Sequence, residues 1–137
     1  MGWLDNLRGS HRQKVRGFIY VKLPLSIMPI ERGERFEDPI DAELKRCNLG
    51  SVSGGGSLMS EPDADGNRSI VYCGVDVEAV DLDMARALLR DLLPGLGAPD
   101  QTALQYEVGD SDFEDLCIDG VWTLGIPQRD AKNGLNS

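Results

Sequence analysis

The strongest pattern in the chain runs from Arg68 to Pro99, where a period of two gives way to a period near 3.6. Between Ser69 and Val77, Val71, Cys73, Val75 and Val77 fall on one side, and Ile70, Tyr72, Gly74 and Asp76 on the other. β-Branched residues at every second position predict a strand with that side buried. After Glu78 the spacing changes. Ala85, Leu88, Leu89, Leu92, Leu93 and Leu96 follow the i, i+3, i+4, i+7 rule of one helical stripe. Asp81 is the expected N-cap, with Asp83 adding favourable charge in the first turn, and Pro94, Gly95 and Gly97 close the helix. This strand and helix are the expected folding core.

The remaining elements are read around them. GFIYVKL (17–23) alternates Ile19, Val21 and Leu23 with Phe18, Tyr20 and Lys22 and predicts the first strand. Residues 24–37 carry Pro24 and Pro29 with mixed charges and predict extended edge or loop with a solvated surface. Residues 38–47 predict the first helix, capped by Asp38 before Pro39, with Ile40, Leu44 and Cys47 facing inward. The stretch 49–61 predicts a strand bent by its glycines, joined to the core strand through a hairpin turn at Asp65-Gly66. Gln101 to Val108 alternates once more, an acidic run follows, and 117–127 predicts a hairpin or edge strand turning at Asp119-Gly120.

The order strand, helix, strand, strand, helix, strand predicts an α+β domain of the ferredoxin-like βαββαβ plan. In that plan an antiparallel sheet carries two helices on one face, here with an extra C-terminal hairpin or edge strand. The boundaries expected are a basic N-terminal arm over 1–16, one domain over 17–127 and a flexible polar tail over 128–137. In the arm, Arg8, Arg12, Lys14 and Arg16 against Asp5 give 4 − 1 = +3, and Trp3, Leu4 and Leu7 share a face. If Ile19, Val21, Val71, Cys73, Val75, Leu104 and Tyr106 face the helices, then Phe18, Tyr20, Ile70 and Tyr72 make an apolar patch on the other sheet face. Such a patch needs a cover: the C-terminal segment (Phe113, Leu116, Ile118, Trp122, Leu124), a second copy, or a ligand. Self-coverage is the first expectation.

Composition narrows the function classes. With 137 residues, 41% hydrophobic and 27% charged, the chain fits one globular domain. No apolar run approaches a membrane span and the first residues lack the apolar core of a signal peptide, so the expectation is a cytoplasmic protein with no membrane partner. A net charge of −9 argues against nucleic acid. Cys47, Cys73 and Cys117 lack CxxC spacing and His11 stands far from them, so no metal is expected and the cysteines read as reduced. Asp63, Asp65 and Asn67 lack the later glutamate of a calcium loop.

Candidate chemistry is sparse. Gly54, Gly55 and Gly56 resemble a phosphate-cradling loop in composition, but no helix follows them and no Gly-Lys-Ser/Thr is present. Candidate nucleophile and acids are Cys73, Asp76, Glu78, Asp112, Glu114 and Asp115, with no histidine near Cys73 to activate it. The acids read most simply as a solvated face. The leading expectation is a non-catalytic binding or protein-interaction module with no cofactor, engaging a protein partner or forming a homodimer. One alternative is a small enzyme or ligand-sensing domain using the glycine-rich strand and nearby acids. The other is an acidic neutraliser of a basic partner, of the toxin-immunity kind.

Overall fold

Alternating aliphatics build the centre of the sheet. In β1 (Gly17–Leu23), Ile19, Val21 and Leu23 point to one side and are fully buried. Antiparallel partners set Val77 and Val75 of β3 (Ile70–Ala79) opposite Ile19 and Val21. On the other flank, Tyr106 and Leu104 of β4 (Ala103–Val108) stand opposite the same two residues. Partners in register share a face, so these residues form one apolar surface. Two helices cover it: α1 (Asp38–Arg46) through Ile40 and Leu44, and α2 (Leu82–Leu92) through Leu82, Ala85 and Leu89. Asp81 caps α2 as expected, accepting from the Met84 N–H at 3.3 Å. A 3-10 turn (Leu93–Leu96) and left-handed Gly97, φ 87°, end it.

The computed structural model describes residues 14–129. The expected arm and tail are therefore seen only from Lys14 and only to Arg129, and the rest of both lies outside the described residues. Among the described residues the protein is α+β, a six-stranded antiparallel sheet with two helices on one face. The spatial order is β2-β3-β1-β4-β5-β6, with β2 (Gly50–Met59), β5 (Ser111–Ile118) and β6 (Val121–Pro127) completing the sheet. The Asp65-Gly66 turn joins β2 to β3, and Asp119 and Gly120, φ 52° and 79°, turn β5 into β6. No helix among these residues is long and apolar enough to cross a membrane.

Five expectations are corrected. Residues 24–37 are largely helical: a single turn (Pro29–Arg32) and a π turn (Gly33–Glu37) lead straight into α1. Pro29 sits at a helix start, where no N–H is needed. The wide π turn precedes Pro39, at the place where a proline ring would clash with a regular α-helical carbonyl. Asp38 is thus no cap, because Glu37 before it is already helical. The continuous run puts Phe36 fully in the core.

The alternation in β3 also breaks early. Tyr72 pairs with Leu58 and Ile70 with Met59, leaving Val71 as an extra residue. That bulge reverses the side-chain faces, so Ile70 packs against the core and Val71 is 52% exposed. The C-terminal segment does not fold across the sheet. It extends the sheet as β5 and β6, with Phe113 and Trp122 packed on the helix-side core and Ile118 and Leu124 exposed. Finally, the acidic run is a strand in which Glu114 and Asp115 are both 0% exposed.

Candidate functional site

The sheet face away from the helices is where the expected binding residues fall, and register determines which remain on it. Phe18, Tyr20 and Lys22 of β1 alternate away from the core. Their partners on β3 are Glu78, Asp76 and Gly74. On β2, Gly54, Gly56 and Leu58 stand opposite Asp76, Gly74 and Tyr72. This half of the face is therefore a shallow platform of three glycines with aromatics laid on it. Ile70, expected with them, has turned inward.

Gly74 is what lets the platform form. A Cβ there would lie 2.0 Å from the Tyr20 hydroxyl and 2.1 Å from its ring. The Tyr20 ring therefore lies across bare backbone. Burial, with Tyr72 and the Asp76 carboxylate nearby, pushes its hydroxyl up to about 12, so it is a protonated donor at neutral pH. The Lys22 ammonium sits 4.5 Å above the Tyr72 ring, a cation–π contact. Phe18 remains 50% exposed and Leu58 is similarly open.

A groove of about 590 Å³ continues the face past Phe18 and Tyr20 to Gln105, Glu107, Asp112 and Gln128. At the corner where β1 starts, a cavity of about 1130 Å³ is lined by Lys14, Arg16 and Lys45 with Phe18, Ser51 and Glu78.

The glycine-rich strand holds no phosphate cradle. The space over Gly55, on the helix side, is filled by an internal ion pair. Arg32 Nε donates to Glu37 Oε2 at 2.6 Å and Nη1 to Ser57 Oγ at 3.0 Å. A Cβ at Gly55 would meet that Glu37 oxygen at 2.5 Å. Gly54 faces Asp76, and a Cβ at Gly56 would meet nothing within 4 Å. Arg32 is itself buried, and a buried guanidinium requires its partners. Sequence reading missed this pair. Its signal was slight, an Arg–Glu pair five residues apart and a glycine run well downstream that only the fold brings together.

The acids named for catalysis are divided between two faces and two roles. Asp76 and Glu78 edge the platform. Cys73 lies on the helix side, fully buried, with its S–H directed at the carbonyls of Leu25 and Ile27 at 3.4 and 3.6 Å. That is the setting of a donor rather than of a nucleophile with a base beside it.

Asp115, also on the helix side, accepts from Arg86 Nε at 3.0 Å and Nη2 at 2.8 Å. It accepts further from Arg90 Nη1 at 2.9 Å, the Tyr106 hydroxyl at 3.0 Å and the Gly125 N–H at 2.9 Å. Arg86 in turn stacks 4.1 Å over the Tyr106 ring. Burial pushes the Asp115 carboxyl up, but Arg86, the Gly125 amide and the Tyr106 hydroxyl outweigh it and hold it below the usual carboxylate range. Glu114, on the opposite face, takes Gln105 Nε2 at 3.2 Å and Arg129 Nε at 2.7 Å.

These two carboxylates are structural ties. Among the described residues no group of three or more His, Cys, Asp or Glu is placed to hold a metal ion. The chain matches no protein-family model, no curated protein and no solved structure.

Proposed function

We infer that this protein is a non-catalytic protein-interaction module, and that its contact surface is the glycine platform of β2, β3 and β1. The observation that carries the reading is the set of half-open side chains there. Phe18, Leu58, Tyr72 and Lys22 stand over a floor of Gly54, Gly56 and Gly74, on the face the helices leave bare. Aromatic side chains beside flat backbone are the anchors interfaces are built on. The arrangement of the first four strands, β2-β3-β1-β4 with both helices on one side, supports a ferredoxin-like plan lengthened by the β5–β6 hairpin.

Affinity purification with the intact chain tests the reading, comparing it with a Phe18→Ser, Tyr72→Ser variant and a Val121→Ser control on β6. A partner retained by the wild type and the control but lost with the platform variant is the expected result. A set of partners unchanged by the platform variant would refute it.

One feature favours a particular kind of partner. Asp76, Glu78, Glu107 and Asp112 all point to this same face, by their pairing with Tyr20, Phe18 and each other. An acidic rim around apolar anchors suits a basic protein surface, and it steers encounter as well as holding the complex. For such a partner, binding weakens as salt rises, and Asp76→Asn with Glu78→Gln slows association. Salt-independent binding by both variants would remove the neutraliser reading and leave the module.

A further inference from the structure

β2 is an open edge. Hydrogen-bonded to β3 on one flank, it presents along the other the N–H and C=O groups that any edge strand leaves over. One of these is covered, because the Val52 N–H donates to Asp41 Oδ1 of α1 at 2.8 Å. Past the irregularity at Val52/Gly54, the run Gly54 to Leu58 stays in unbroken register opposite Asp76 to Tyr72. Gly55 is exposed although the Arg32–Glu37 pair lies on its helix side, so solvent reaches its backbone. The other edge is guarded. β6 holds register from Val121 to Thr123, is interrupted opposite Glu114/Leu116, bends at Gly125 with φ 64° and ends on Pro127. Bulges and prolines keep an edge from recruiting another strand, and Gly54–Leu58 has neither.

Charge selects the occupant. The chain carries −9, so two copies repel over most of their surfaces. An isologous contact sets each patch against its own copy, which requires a patch neutral against itself. Gly50–Met59 has no charged residue in all its ten positions, and glycine at 54–56 removes the side chains that would hold two backbones apart. A cationic partner gains nothing from such an edge and is drawn to the acids on the open face instead.

We propose that Gly54–Leu58 pairs antiparallel with the same strand of a second copy, giving a two-fold dimer with one continuous sheet of twelve strands, six from each copy. Antiparallel pairing about an axis normal to the sheet keeps both glycine platforms on the same side. The dimer is thus a bivalent form of the interaction surface. This edge contact stands whether or not the platform binds a protein. A five-residue ladder is small beside the roughly 1,200–2,000 Å² of a stable complex, so the dimer forms with rising concentration.

Sedimentation velocity on the full chain over a wide concentration range, at low and high salt, is the test. The wild type shifts from monomer to dimer, and salt strengthens the dimer by screening the repulsion between copies. Gly56→Lys keeps the fold, since a side chain there meets nothing within 4 Å, as circular dichroism and melting check. It nevertheless sets lysine against lysine at the seam. Its dimer is lost even though each copy falls from −9 to −8. Gly95→Lys, equally unobstructed and outside the sheet, makes the same charge change and keeps the dimer. A wild type that stays monomeric throughout, or a Gly56→Lys protein that dimerises like the wild type, overturns the proposal. So does a monomer whose 54–59 amides gain exchange protection only when another protein is added; that result would assign the edge to a foreign strand.

Discussion

The two halves of the sheet are built on opposite terms. In β4, β5 and β6 the polar groups are drawn inside: Asp115 collects two arginines, a tyrosine and a backbone amide, and Glu114 collects Gln105 and Arg129. On the face of β2, β3 and β1 away from the helices the side chains thin out to glycine, and several of those that remain, Phe18, Leu58, Tyr72 and Lys22, stay half-open. A fully satisfied buried network rigidifies and specifies its surroundings, while a bare glycine surface leaves backbone accessible to another molecule. The difference separates the part of the molecule that holds the fold from the part left available for contact. Substitutions on the ionic side therefore act chiefly on stability, and those on the glycine side act on association as well.

The largest effect is expected at Asp115. Asp115→Ala leaves Arg90 half-buried without this carboxylate and Arg86 with only the exposed Asp83 at 3.2 Å, a loss of about 3 kcal/mol, the low end of the usual cost of breaking a buried pair. Urea unfolding should show the midpoint drop at unchanged slope. A loss under about 1 kcal/mol would mean the arginines find water or other partners readily.

Acid titration gives the same group a second signature. The folded carboxyl is held below its ordinary value, so its contribution is present above the unfolded value of roughly 3.9 and is lost as pH falls through the folded one. The wild type should lose that increment on acidification and Asp115→Asn should not, since it has no carboxylate to protonate.

Next in size is Gly74→Ala. The new Cβ overlaps the Tyr20 ring, and overpacking of this kind costs about 1–3 kcal/mol. The low end applies here because the ring can swing towards solvent. Its hydroxyl, now at about 12, would then titrate nearer the ordinary value of roughly 10. The variant would also lose platform binding while keeping the Asp115 network. If the hydroxyl still titrates at about 12 in Gly74→Ala, Tyr20 has a second buried position and the glycine floor is not what seats it.

How far the sequence discloses this division depends on what carries the signal. Periodicity placed β1, β3, β4, α2, its Asp81 cap and the Asp119-Gly120 turn, because local spacing and turn chemistry decide them. It failed where one residue changes the phase. The extra Val71 in β3 moved Ile70 into the core and took it off the platform. Proline-based reading failed at Pro39 because a π turn absorbs what a regular helix cannot. The buried acids were illegible for another reason. A carboxylate in a run of acids looks solvated until a distant helix supplies its cations, and the spacing of Arg86 and Arg90 on one face of α2 was the available hint. Of the platform, Phe18, Tyr20 and Tyr72 were found by alternation. Gly54, Gly55 and Gly56 read as part of a bent strand, and β2 is there with an irregularity at Val52/Gly54. What local spacing could not show is that Gly55 makes room for the Arg32–Glu37 pair and Gly74 for the Tyr20 ring.

The smallest expected stability effect discriminates best between holding and contacting. Asp41 bridges α1 to the guarded start of β2: it accepts the Val52 N–H and pairs with Lys45 at 2.9 Å. Its carboxyl is held low by the Lys45 hydrogen bond first and the Val52 amide second. Asp41→Ala removes one partly exposed backbone hydrogen bond, about 1 kcal/mol or less. It also uncovers the Val52 amide and so lengthens the open edge towards Gly50. If β2 is a self-pairing strand, this slightly weakened protein should dimerise at lower concentration than the wild type in sedimentation velocity, with one charge fewer per copy acting in the same direction. Asp38→Ala, an exposed acid on the same helix, makes the same charge change without touching β2 and separates the two contributions. Stronger association in Asp41→Ala than in Asp38→Ala identifies the freed edge as the cause, whereas equal association assigns the gain to charge alone and confines pairing to Gly54–Leu58.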